Sequence, residues 1–196
     1  MTIDNLVLDT IRKRRSVRRF RDLQIPDEAR RALVEAGDWA PSACNDQSWH
    51  FTLIQDRQLM DRISVASKEA LRRSETKWMV DLGNNPDFHV FYRAPTVLIA
   101  SYRENAVDPH ADLCAAVENI LLAAWSLGVG SCWVGLARGF LSSPEAPMLL
   151  ELPQGYKAAY AVALGFPFEA TTGNGPVRKS APFHWIKEGK VLREER

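Results

Sequence analysis

Residues His110 to Leu127 read as a helix that is apolar on nearly every side, with Ala111, Ala115, Ile120, Leu121 and Ala124 recurring along it. The Asp108-Pro109 step opens it, because proline suits a first turn. A helix without a polar face has to be largely buried. The chain must therefore wrap other elements around it, and 196 residues, 46% hydrophobic and 25% charged, suffice for one sizeable core. Two further stretches constrain that core. Pro95 to Ser101 is a continuous apolar run of strand length, and Tyr156 to Gly165 is another; both predict buried strands.

The remaining chain supplies helices and strands in alternation. A first helix is expected over Leu6 to Arg14, with Leu6 and Ile11, joined by Val7 and Leu8, on its buried side. A basic segment, Arg12 to Arg21, follows. Ile25-Pro26-Asp27-Glu28 starts a second helix that runs to Asp38, its two acids suiting the positive end of the helix dipole. A polar loop, Pro41 to Ser48, leads into a strand over His50 to Gln55. Leu59, Ile63, Ala66 and Ala70 predict one helix from Arg57 to about Met79, broken by Gly83-Asn84-Asn85-Pro86. Gly128 and Gly130 stop the long apolar helix, and Ser131 to Leu136 reads as a short strand or extended loop. A short helix is expected from Ser142 to about Leu152, and the tail from Glu169 to Arg196 reads as loop. No repeat is visible, and the mixture predicts a single α+β or α/β domain over residues 1–196.

Several functions are excluded at this level. The balance of 25 basic against 24 acidic residues leaves +1, far from the basic surface of a nucleic-acid binder. Cys44, Cys114 and Cys132 are too few and too scattered for a disulfide framework or a zinc site, so a reducing, cytoplasmic setting is expected. Met1 to Thr10 lacks a secretory pattern, and the longest apolar run, Ile120 to Trp125, is far below the roughly 20 residues that span a bilayer. His50, His89, His110 and His184 are scattered, and no Ser/His/Asp grouping has triad character. Neither a Walker loop nor a Gly-x-Gly-x-x-Gly fingerprint is present.

Two segments carry candidate chemistry. In Arg12-Lys-Arg-Arg-Ser-Val-Arg-Arg-Phe20, arginines flank a serine. This is either a solvated basic face or a grip on a phosphate, since guanidinium forks match phosphate oxygens and a hydroxyl adds a donor. In Ala40-Pro-Ser-Ala-Cys-Asn-Asp-Gln-Ser-Trp49, small residues admit a flat ligand, and Asn45 and Gln47 both donate and accept. The plain alternative is an ordinary helix-to-strand connection. Cys44 reads as a small filler there, Cys114 as core and Cys132 as packed, while Trp49 and Trp133 are the tryptophans nearest these motifs.

Arg14-Arg-Ser-Val-Arg-Arg-Phe20 followed by Ala40 to Trp49 resembles the opening of the nitroreductase family of FMN-dependent NAD(P)H oxidoreductases. Asp112 to Asn119 with Leu121 to Gly135 resembles that family's long central helix and the strand after it. Leu150 to Tyr156, with Ala163 to Pro167, resembles its closing strand, and Arg178-Lys179 the basic pair near its C-terminus. The resemblance implies an α+β, nitroreductase-like fold. A central, mostly antiparallel sheet would be flanked by helices and assembled as an intertwined homodimer with FMN at the subunit interface.

The resemblance also implies a site. Arg14, Arg15 through its backbone, and Ser16 would hold the phosphate and ribityl chain of FMN, with Arg178 and Lys179 returning to the phosphate. Arg18 would face the pyrimidine end, where positive charge favours the reduced flavin anion. Pro41, Ser42, Ala43 and Asn45 would come from the other subunit. Trp133, Val134, Gly135 and Leu136 would pass along the opposite face, with a backbone N–H near Gly135 aimed at flavin N5. The sequence departs from the family in three places. Leu136 stands beside Gly135 where a glutamate is common, and Ser48 replaces a proline. The family's mid-chain asparagine is Asn84, Asn85 or absent. The implied activity is ping-pong hydride transfer from NAD(P)H to a nitroaromatic, quinone or related small-molecule acceptor, with no obligatory side-chain acid. The alternatives are a flavin sensor or storage protein without turnover, or specialised chemistry such as dehalogenation or flavin destruction. Lys68 to Phe88, with Arg72, Arg73 and Trp78, is the expected substrate cover.

Overall fold

The computed structural model describes residues 5–169, 178–179 and 181–193. Four strands form one sheet in the order β1-β2-β4-β3, with every neighbouring pair antiparallel. They are β1 (Trp49–Ile54), β2 (Thr96–Arg103), β3 (Gly130–Trp133) and β4 (Tyr156–Gly165). The two apolar runs are thus the two central strands. Successive residues point to opposite faces of a sheet, and both faces here are covered. Val97, Ile99, Ala161 and Ala163 join one core layer, while Leu98, Ala100, Val162 and Leu164 join the other.

The second layer is built on α5 (Pro109–Ser126) and α2 (Asp27–Asp38). Leu113, Val117, Ile120 and Leu121 of α5 and Leu33 of α2 are buried in it. Asp108 caps α5 by accepting the Ala111 N–H, and Pro109 occupies its first turn. Gly128, at φ 70°, ends it in the left-handed region that favours glycine. The first layer holds α3 (Arg57–Arg72), α4 (Lys77–Asn84) and two short helices, α6 (Arg138–Leu141) and α7 (Ala146–Leu149).

Four expectations are corrected. Helix α1 (Leu6–Lys13) buries none of its residues, and Leu6 is 86% exposed, because no other part of the described chain covers its apolar stripe. The single helix expected over 57–79 is two helices. The break comes where the Ser74 hydroxyl accepts the Thr76 N–H, a side chain competing with the helical ladder. The tail contains a hairpin, β5 (His184–Lys187) paired with β6 (Lys190–Arg193). Its two-residue turn, Glu188-Gly189, has φ of 50° and 72°, both positive as a type I′ turn requires. The short helix expected from Ser142 to about Leu152 is only α7, over Ala146–Leu149. No helix among the described residues is long and apolar enough to cross a membrane.

Candidate functional site

The basic segment is exposed at Arg12, Lys13, Ser16, Arg18 and Arg19, so much of it is a solvated basic face. After α1 it becomes extended and lies along the outer edge of β3. The Val17 N–H donates to the Ser131 carbonyl at 2.9 Å, in a parallel bridge between Ser16 and Ser131. Further on, Phe20 bridges Pro167, and the Arg21 N–H donates to the Phe166 carbonyl at 2.9 Å. Val17 is buried and seats on Gly130, where an added Cβ would meet its methyl at 2.9 Å. Only glycine lets the segment come this close. With Val17 turned inward, Arg14, Ser16 and Arg18 alternate on the opposite side.

Each of these side chains has a definite environment. Arg14 is mostly buried, with its Nε 3.6 Å from the Glu118 carboxylate of α5. Arg15 folds back, its Nη1 donating to the Arg14 carbonyl at 2.8 Å, and its buried Nε has no partner among the described residues. Ser16 hydrogen-bonds the Cys132 thiol, whose pKa is nonetheless raised because burial outweighs this bond and the nearby Arg18 charge. The Arg18 guanidinium lies 5.8 Å from the centre of the Tyr92 ring. Its pKa is raised, first by a hydrogen bond with the Tyr92 side chain, so it stays charged.

Arg18 opens into a cleft of about 710 Å³. Trp133, Val134, Gly135 and Leu136 form one wall as β3 ends, and no atom would meet a Cβ built on Gly135 within 4 Å. Trp78, Leu82 and Phe88, on and just after α4, form the opposite wall. That wall is fixed to α3: buried Lys68 donates to the Phe88 carbonyl at 3.1 Å and Arg72 Nε to the Gly83 carbonyl at 3.0 Å. Ala159 and Tyr160 complete the lining. The β2–β4 register shifts at Ala100/Ser101, which leaves Ala159 unpaired. A bulge of this kind turns two successive residues toward one face. The Tyr160 hydroxyl lies 3.2 Å from His110 Nδ1, and its pKa is pushed up to about 12 by burial and a Cys114 hydrogen bond.

The second flagged segment lies apart. None of Pro41, Ser42, Ala43 or Asn45 lines this cleft. The Ala43 N–H donates to Asp112 Oδ1 at 2.9 Å; Asp112 is 5% exposed, and its Oδ2 has no partner among the described residues. Cys44, Asn45 and Gln47 have φ of 53°, 56° and 46°, left-handed values that cost non-glycine residues energy. Asn45 and Gln47 use their amides on each other, Nε2 to Oδ1 at 2.9 Å. Arg103 pairs with Asp46. Trp49 is structural, its indole N–H donating to Asp38 at 3.0 Å. Cys114 is half-buried beside Tyr160 and not in the core as expected. Arg178 and Lys179 are exposed and do not line the cleft.

The model of the nitroreductase family matches residues 11–166, from the basic segment to the end of β4. The chain belongs to the nitroreductase family. An Archaeoglobus fulgidus protein provisionally named NADH dehydrogenase/NAD(P)H nitroreductase is 31% identical over 82% of this chain and 84% of its own. The NADPH-flavin oxidoreductase of Vibrio harveyi is 26% identical over 93% of this chain and 72% of its own. A Bacteroides fragilis nitroreductase solved with bound FMN superposes with a TM-score of 0.77 at 32% identity, covering 98% of this chain and all of that one. The α+β nitroreductase fold expected from the motifs is the fold observed.

Within this nitroreductase, Tyr92, Tyr160 and Arg138 were not singled out from the sequence, yet all line the cleft. Tyr160 carried a faint signal, a phenol among the alanines of Ala158-Ala-Tyr-Ala161. Tyr92 carried none: it sits in a turn at φ 55°, a conformation that a bulky residue does not announce.

Proposed function

We propose that the chain is an FMN-dependent oxidoreductase that passes reducing equivalents from NAD(P)H to a nitroaromatic, quinone or related small acceptor. The observation that carries this is the basic edge segment on β3, whose Arg18 lines a cleft rich in aromatic residues. The donor set fits FMN. Arg14 and Ser16 would hold the phosphate, assisted by backbone N–H groups around Arg15 and by Arg178 and Lys179. Arg18, beside Tyr92, would sit at the pyrimidine edge, where its positive charge would stabilise negative charge on the flavin. The 133–136 wall would pack on the ring, with the backbone at Gly135 near N5. When bound, the flavin supplies hydride acceptance and donation, chemistry no side chain here can perform. The protein's own part is to orient donor and acceptor in turn in one cleft, with water free to supply protons.

A second copy of the chain completes the proposal. The 41–47 loop lies outside the cleft formed by its own chain. The exposed apolar residues Leu6, Val7, Ile11 and Trp39 give a surface for a homodimer to cover. Pro41, Ser42, Ala43 and Asn45 would then reach the partner's flavin. The test is anaerobic stopped-flow reduction of the purified flavoprotein by NADH and by NADPH. Rapid bleaching with at least one donor, and reoxidation by menadione, is the expected result; flavin that neither donor reduces would leave only a flavin binder.

A further inference from the structure

Arg138 has no place in the flavin assignment above. It stands at the mouth of the cleft as the first residue of α6, three residues beyond Gly135, and its side chain is exposed. No carboxylate pairs with it among the described residues, in contrast to Arg14 beside Glu118 and Arg103 beside Asp46. Both Arg138 and the Tyr160 phenol line the cleft, and the Arg138 charge opposes in small part the upward pull of burial on that phenol. The other cation of the lining, Arg18, is engaged by Tyr92. The described lining contains no acid at all, and beyond the 133–136 wall assigned to the flavin it includes the aromatic residues Tyr160, Phe88 and Trp78. Such a site rewards a planar π-system that brings its own negative charge.

We propose that Arg138 is a specificity-determining residue, and that the cleft takes planar aromatic acceptors carrying a carboxylate or sulfonate, the anion resting on the Arg138 guanidinium. This rests on the oxidoreductase reading of the same cleft. For a nitrobenzoate the two-electron step balances as ArNO2 + NAD(P)H + H+ → ArNO + NAD(P)+ + H2O. One N–O bond breaks, its oxygen leaves as water, and the carboxylate is unchanged throughout.

The experiment compares 4-nitrobenzoate with its neutral methyl ester on the flavin-loaded protein. In Arg138→Gln the KM for 4-nitrobenzoate rises about fivefold, the scale of one solvent-exposed ion pair. The ester's KM and both kcat values stay within about twofold, and Arg138→Lys retains most of the preference. Equilibrium binding of 4-nitrobenzoate, followed by quenching of protein tryptophan fluorescence, weakens by the same factor without any turnover. Equal effects on acid and ester, no effect on either, or a loss confined to the donor half-reaction would overturn the proposal. If the wild-type protein turns over neither acceptor while the titration still favours the carboxylate, the oxidoreductase reading falls and the anion site stands.

Discussion

The Arg14–Phe20 segment and the Pro41–Ser48 loop are both short, polar and rich in candidate ligands, but the fold holds them by different means. The first is held by backbone: a bridge to β3, a bridge to Pro167, and Val17 seated on Gly130. Its shape belongs to the sheet and is complete in one chain. The second makes no strand bridge; apart from its own turn and the Arg103 N–H on the Ser48 carbonyl, it is tied down by side chains: Asp112 on the Ala43 N–H, Ser42 on the Gln47 N–H, and Arg103 on Asp46. It keeps three non-glycine residues in left-handed backbone, on the surface, away from its own chain's cleft. Strain of this kind persists where surroundings over-determine it. The edge segment therefore has its shape within one protomer, and under the proposed function only the loop would need a second copy to reach a flavin.

The contrast breaks first at Gly130. A Gly130→Val side chain would collide with Val17, and overpacking of this kind costs roughly 1–3 kcal/mol. Urea unfolding should show that loss, together with weaker FMN retention, because the basic segment is pushed off β3. Unchanged stability would mean that the segment is not seated as described. The smallest effect is expected in the loop. Cys44→Gly relieves a left-handed residue, worth about 1–2 kcal/mol, and restores glycine's unfolded-state entropy, worth about 0.5–1 kcal/mol. The net is a gain of about 0.5 kcal/mol in the same urea experiment. A clear loss would show that the cysteine side chain makes a contact beyond those of a single chain.

The same contrast explains what could be read in the residues. Strands β2 and β4 and helix α5 were legible because they are apolar on every side that the core touches, so their burial does not depend on knowing their neighbours. Helix α1 misled for the opposite reason: its stripe of Leu6, Val7 and Ile11 matches a core helix, but pattern alone does not say whether the rest of the fold covers it. The break between α3 and α4 is made by one serine hydroxyl, invisible to periodicity. Around the cleft, Arg18 and the 133–136 wall were legible as parts of contiguous motifs, as were Arg14 and Ser16, which lie beside Arg18 in sequence and do not line the cleft. Tyr92, Arg138 and Tyr160 were not, since they lie far apart in sequence and meet only through a turn, a four-residue helix and a bulge.

If the edge segment clamps FMN by its phosphate, equilibrium titration of FMN into the wild-type protein and Arg14→Ala will show it. Saturation is expected at one FMN per chain, with binding weaker by about 1.5–3 kcal/mol in the variant, the scale of a charged hydrogen bond. A wild-type protein that takes up no FMN, or a variant that binds it as tightly as the wild type, would contradict it.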